Sequence, residues 1–111
     1  MPLYLARFGY TPEAWAALVK KPEDRREAVR PLVEAAGCTL HGFWYAFGEQ
    51  DGYLLFEGPD NASAASIAIA AAAGGAVRSL ETSVLMTVEE TLEALRKAQT
   101  LPYRPPSGSS S

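Results

Sequence analysis

One order of elements occurs twice in this chain, and it narrows the possible folds more than any other feature. Leu3 to Tyr10 is rich in aromatic and aliphatic residues and predicts a strand. Thr11-Pro12-Glu13 ends it: Thr11 suits an N-cap, and Pro12 suits the first helical position, where a missing N–H costs nothing. The helix that follows carries Trp15, Leu18 and Val19 on one face and is interrupted at Lys21-Pro22. A second helical piece over 23–36 spaces Val29, Leu32, Val33 and Ala36 as one buried stripe. Pro31 within it predicts a kink or a break, and Gly37 ends it. Thr39 to Phe47 is the second strand, dense in aromatics. The turn Gly48-Glu49-Gln50-Asp51-Gly52 joins it as a hairpin to a third strand, Tyr53 to Glu57. Asp60 or Asn61 caps a helix over 62–73 that is nearly all alanine, with Ile67 and Ile69. Gly74-Gly75 stops it before a fourth strand, Val77 to Met86. Two strand–helix–strand halves result. That is the split βαβ arrangement, an α+β ferredoxin-like fold with a four-stranded antiparallel sheet and helices on one face.

Beyond the second half, Thr87-Val88-Glu89-Glu90 reads as a capping box opening a last helix, with Leu92 and Leu95 as its apolar face. After Gln99 the chain turns to proline, glycine and serine. Residues 1–99 therefore read as one domain and 100–111 as a disordered tail. A chain of 111 residues fits one such domain and buries roughly two thirds of its unfolded surface.

Charge and cysteine content limit the partners. The net charge is −3 and no run of Lys and Arg exceeds two residues, which argues against nucleic acid as the main partner. Cys38 is the only cysteine, so an intramolecular disulfide is impossible and a reducing compartment is the simple reading. Residues 1–20 lack the basic start and apolar run of a signal peptide. The most apolar stretch, Ile67 to Ala76, is too short to span a bilayer. The expectation is a soluble, cytoplasmic protein with no membrane partner.

Side chains alternate along a strand, so each strand has two sets. Tyr4, Ala6, Phe8, Leu54, Phe56, Leu80 and Val84 form an oily set that should meet the helices. Leu3, Leu5, Arg7, Tyr53, Leu55, Glu57, Ser79, Glu81 and Ser83 form a mixed set, too apolar for plain exposure and too polar for a sealed core. A homodimer interface, a cavity lining, or both would explain it. Strand two is ambiguous: His41, Phe43 and Tyr45, or Leu40 and Trp44, could face the core.

Several stretches together carry a family resemblance. They are the opening Pro-Leu-Tyr-Leu-Ala-Arg-Phe-Gly-Tyr-Thr-Pro-Glu, residues 22–34, Phe47-Gly48-Glu49-Gln50-Asp51-Gly52, Glu57-Gly58-Pro59-Asp60, and Gly75-Ala76-Val77-Arg78. From Met1 to about Ala98 the chain resembles the GYD-domain family. The resemblance implies a dimeric α+β-barrel type of fold and no defined general activity. Gln50 stands where the family's Gly-x-Tyr-Asp motif has its tyrosine, and Pro31 stands where relatives usually carry a helix-compatible residue.

The residues offer chemistry without naming a reaction. His41, the only histidine, could act as a general base; as a half-buried strand residue it would do nothing catalytic. A lone histidine makes a metal site weak, and no cofactor is expected. Arg7 and Glu57 could bind a polar substrate group or simply form an ion pair across a dimer. Tyr45, Tyr10, Phe43, Trp44 and Tyr53 could line a pocket for a flat or greasy ligand, or be core packing. The tyrosines are the better pocket candidates, because a buried hydroxyl needs a partner. Asp51 reads as a turn former and Cys38 as a small core residue. These residues predict a cofactor-independent enzyme of isomerase, cyclase or lyase type. Its substrate would be a small apolar, aromatic or polyketide-like molecule, with His41, Arg7, Glu57 and Tyr45 moving protons or polarising a carbonyl. The alternative is a non-catalytic ligand-binding or dimerisation module.

Overall fold

The computed structural model describes residues 1–107. In chain order the elements are β1 (Leu3–Tyr10), α1 (Pro12–Lys20), α2 (Arg25–Ala35), β2 (Thr39–Tyr45), β3 (Gly52–Glu57), α3 (Asn61–Ala73), β4 (Val77–Leu85) and α4 (Val88–Ala98). The strands form one sheet in the order β2-β3-β1-β4, each neighbouring pair antiparallel. This is the expected split βαβ sheet. Its two central strands, β1 and β3, come from different halves of the chain.

Short polar side chains start each helix by satisfying backbone donors left free in its first turn. Thr11 Oγ1 accepts the Ala14 N–H at 3.1 Å, and Asp60 Oδ1 accepts the Ser63 N–H at 2.8 Å. Hydrogen bonds from Ser63 hold the Asp60 carboxyl below the usual carboxylate range. Asp24 caps α2 through the Arg26 N–H, so α2 begins at Arg25 rather than Glu23. Pro31 does not break α2. It sits on the exposed side, where water can take over the Glu27 carbonyl that the missing N–H would have served. On α1, Leu18 packs toward the core while Val19 is 78% exposed, so Val19 does not join the predicted stripe. Ile69 on α3 likewise faces out, leaving Ala64 and Ile67 as that helix's buried residues.

The core lies between the sheet and its helices. Tyr4, Ala6, Phe8 and Tyr10 of β1 and Leu54 and Phe56 of β3 are buried there with Val33, Cys38, Leu40, Ala64 and Ile67. Tyr4 stacks on Phe56 and donates its hydroxyl to Asn61 Oδ1 at 2.8 Å, so its polar tip is satisfied. Burial pushes the Cys38 thiol up, as befits a small core residue.

A bulge settles the ambiguity of strand two. Leu40 pairs with Phe56 and Gly42 with Leu55, which leaves His41 as the extra residue. Beyond it the phase of the strand reverses. Leu40 and Phe43, three residues apart, both face the helices, while Trp44 pairs with Tyr53 on the outward face. The strand ends at Tyr45, and Phe47, expected within it, is fully exposed. A second bulge falls on β4: Gly9 pairs with Ser79 and Tyr10 with Val77, so Arg78 is the extra residue. Its guanidinium lies over Gly9, where a Cβ would come within 2.5 Å of Arg78 Cζ.

No helix packs substantially on the outward face, which carries Leu3, Leu5, Arg7, Tyr53, Leu55, Glu57 and Leu85. The last helix, α4, opens on the expected Thr87–Glu90 capping box. It buries nothing: Val88, Leu92 and Leu95 are 71%, 43% and 58% exposed. Leu101 and Tyr103 beyond it are exposed too. The rest of the predicted tail, 108–111, lies outside the described residues.

Candidate functional site

Composition and packing together open a cavity on the helix side of the sheet. α2 rests chiefly against β2 and α3 against β4, so the middle of the sheet lies under the gap between them. Apart from Ile67, the facing positions of α3 are alanines, whose methyl groups leave that gap unfilled. The result is a partly open space of about 300 Å³. Its floor is Ala6, Phe8, Tyr10, Phe43, Leu54 and Phe56 of the sheet. Val29 and Leu32 of α2 form one wall, and Ala64, Ile67, Ala68 and Ala71 of α3 the other. Side-chain polarity is confined to Tyr10, Arg25 and Thr82. The volume lies at the lower end of the roughly 300–1,000 Å³ found for small-molecule sites.

Tyr10 and Arg25 also line a second hollow under α1, so they stand where the two spaces meet. The Tyr10 hydroxyl lies 3.3 Å from the Tyr45 hydroxyl, and Trp15, Tyr10, Tyr45 and Phe43 form a chain of tilted and edge-on rings. Burial against these rings, reinforced by the hydrogen bond to Tyr10, raises the Tyr45 phenol well above its usual value. Tyr45 is 49% exposed as a residue, but its hydroxyl contact is partly buried. Burial works against the Arg25 charge, yet Glu23 and the Tyr10 hydroxyl outweigh it and keep the guanidinium firmly protonated.

Asp51 fixes this end of the sheet. Its Oδ2 accepts the Tyr10 N–H at 2.8 Å and the Trp15 indole N–H at 3.3 Å, and lies 3.6 Å from Arg78 Nη2. Its own N–H donates to the Phe8 carbonyl at 2.8 Å. The turn former is thus also a clamp on β1, α1 and β4. Arg78 adds a hydrogen bond to the Glu49 carbonyl at 2.9 Å, and Gln50 Oε1 accepts from Ser79 at 3.1 Å. Gly52 belongs to the same assembly, because a Cβ there would come within 2.2 Å of the Phe8 ring.

The residues singled out from the sequence fall in three places. Tyr10, Phe43 and Tyr45 belong to the cavity and its mouth. His41 and Glu57 meet on the outward face, Nε2 to Oε1 at 2.9 Å, with both side chains partly exposed. Arg7 lies on that same face but pairs with Glu81 at 3.2 Å and with Ser83 Oγ at 3.0 Å. It is four residues along from the Leu3–Glu57 pair, about 13 Å away by strand geometry. Trp44 and Tyr53 pair across the outward face, with the Trp44 indole lying over Gly42. The cavity therefore touches neither His41 nor Arg7, although the mixed outward face was the expected place for a site. The sequence carries no expectation of Arg25 at the site, and it presents Trp15 and the alanines of α3 only as packing residues. A signal existed in α3, since so many small residues in succession leave space wherever no large residue fills it. Among the described residues no group of three or more His, Cys, Asp or Glu comes together as a metal site. No helix among them is long and apolar enough to cross a membrane.

A family model described as the GYD domain matches residues 4–95 of the chain. No curated protein and no solved structure matches it.

Proposed function

The chain belongs to the GYD-domain family, and from that premise we propose that it binds a small, largely apolar organic molecule between its sheet and helices α2 and α3. The cleft-like space of about 300 Å³, its side chains apolar except at Tyr10, Arg25 and Thr82, carries this reading. A core of this size normally closes on itself; here the alanines of α3 hold a space open. Acid–base turnover as expected from His41 and Glu57 has less support, because that pair lies on the other face of the sheet. The lining of the cavity offers a phenol, a guanidinium and a threonine hydroxyl, which suit holding a ligand and polarising an oxygen.

The test fills the space. Ala68→Phe places a ring in the cavity from the α3 wall. Binding of 2-naphthalenemethanol, followed by calorimetry, is expected in the wild type and lost in Ala68→Phe, with the circular dichroism spectrum unchanged. Equal binding by both proteins would remove the cavity as the site.

We also propose that two chains pair through the outward face. Half-buried Leu3, Leu5, Leu55 and Leu85 lie there between two ion pairs, and the exposed stripe of α4 begins three residues after Leu85. Sedimentation should show a dimer that Leu5→Glu dissociates; a monomeric wild type at micromolar concentration would sink this pairing.

A further inference from the structure

We infer that the ligand of this cavity is a small organic acid, with its apolar body between β1 and α3 and its carboxylate against Arg25 and the Tyr10 hydroxyl. The inference rests on the cavity being a binding site and adds the chemistry of what binds there.

The cavity has one charged end. Arg25 is the first residue of α2 and lines both the apolar space and the hollow beside it. A guanidinium offers five N–H donors in a planar fork matched to a carboxylate. Among the described residues its carboxylate contact is a single one, Nη1 to Glu23 Oε1 at 3.1 Å. Glu23 is 54% exposed and lies just two residues upstream, and an exposed pair of this kind is weak and easily exchanged. The neighbouring carboxylate, Asp24, is already occupied by Arg26 at 3.0 Å. In the outer hollow Lys21 and Glu23 offset each other.

Tyr10 supplies the second contact. It is 6% exposed, and its hydroxyl meets that of Tyr45. Two hydroxyls carry two protons and the contact between them uses one, so the other can be given to a ligand oxygen. The remaining polar side chain of the lining, Thr82, sits on β4, opposite Ala6. A ligand that fits therefore has one polar head and an otherwise apolar body. A cationic head would face the guanidinium. A neutral alcohol offers one oxygen and no charge, so it forgoes both the ion pair and the two-oxygen fork that a carboxylate makes with a guanidinium.

Two probes with one carbon skeleton test this: naphthalene-2-carboxylate and 2-naphthalenemethanol. Calorimetry on the full chain should show the acid binding at least about tenfold tighter than the alcohol. Arg25→Gln should abolish that preference by weakening the acid at least about tenfold more than the alcohol. Equal affinities in the wild type, or a preference that survives in Arg25→Gln, would overturn the acid. If the alcohol still binds and is still lost in Ala68→Phe, the cavity stands and the acid alone falls. If neither probe binds the folded protein, both fall together.

Discussion

Phe56 and Leu55 are neighbours on β3 that face opposite ways. Phe56 is 1% exposed, stacked on Tyr4 under the helices, whereas Leu55 is half-buried on a face that no helix covers. The same contrast runs across the sheet. On the helix side the apolar side chains of β1 and β3 are buried, although Val84 of β4, expected to join them, is 53% exposed because no helix covers that end of the strand. Polar groups gather at the other end, where Asp51, Tyr10, Tyr45 and Arg25 each have a defined partner. On the outward side leucines alternate with the pairs Arg7–Glu81 and His41–Glu57, whose members all keep contact with water. Exposed pairs contribute little to stability. Folding free energy is thus concentrated on one face, and the other can change its charges at small cost to the fold.

Substitution at these two neighbours gives the largest expected difference. Phe56→Ala should lower unfolding free energy by about 3–5 kcal/mol, through lost transfer energy and an unfilled hole. Leu55→Ala should cost less, about 1–2 kcal/mol in a monomer, because its side chain keeps part of its contact with water in the folded chain. Urea unfolding at equal concentrations compares them. A loss at Leu55 as large as that at Phe56 would mean the outward face is covered in solution, and the contrast would belong to the isolated chain alone.

A smaller effect is expected among the polar groups. Asp51→Ala strands the Tyr10 and Trp15 N–H donors and the Arg78 charge, and should cost about 2–3 kcal/mol. His41→Ala, which breaks a pair of equal geometric quality on the other face, should cost no more than about 0.5 kcal/mol. Comparable losses would show that polar contacts on the two faces matter alike.

The smallest effect concerns Tyr45. Tyr45→Phe removes one hydrogen bond and should cost about 1 kcal/mol at neutral pH. Its pH dependence is more telling. The folded protein raises this phenol above its ordinary value of 10.0, so the neutral form is favoured by folding. The contribution is complete below pH 10.0 and declines as pH rises through and beyond that value, where the unfolded chain ionises first. Stability measured from pH 9 to 11.5 should fall more steeply in the wild type than in Tyr45→Phe. Parallel curves would show that the hydroxyl is not desolvated.

The fold was largely legible because its signals are local. Thr11-Pro12, Gly37, Asp51-Gly52, Asp60 and Thr87–Glu90 mark element boundaries by backbone chemistry that does not depend on the rest of the chain. Strand two was unreadable for a particular reason. A bulge is one residue out of phase, and alternation cannot reveal which of two phases continues beyond His41. The site was less legible than the fold. Tyr10, Phe43 and Tyr45 could be proposed as pocket residues from composition, but Arg25 lies within a run of charges, Glu23-Asp24-Arg25-Arg26-Glu27, that reads as a solvated helix end. Its placement depends on where α2 lands on the sheet, which is a tertiary fact.

The alanines of α3 have a consequence for how this protein can diverge. Alanine is the best helix former, so α3 needs no large side chain to remain helical. Its sequence is therefore unusually free to change one residue at a time. Each Ala→Val or Ala→Leu on the wall formed by Ala64, Ala68 and Ala71 removes a known increment of space while leaving the sheet, the caps and the polar end in place. Descendants of this sequence can narrow or shorten that space by editing a single helix. The inventory of small residues on α3 is then a record of how much space each descendant keeps open.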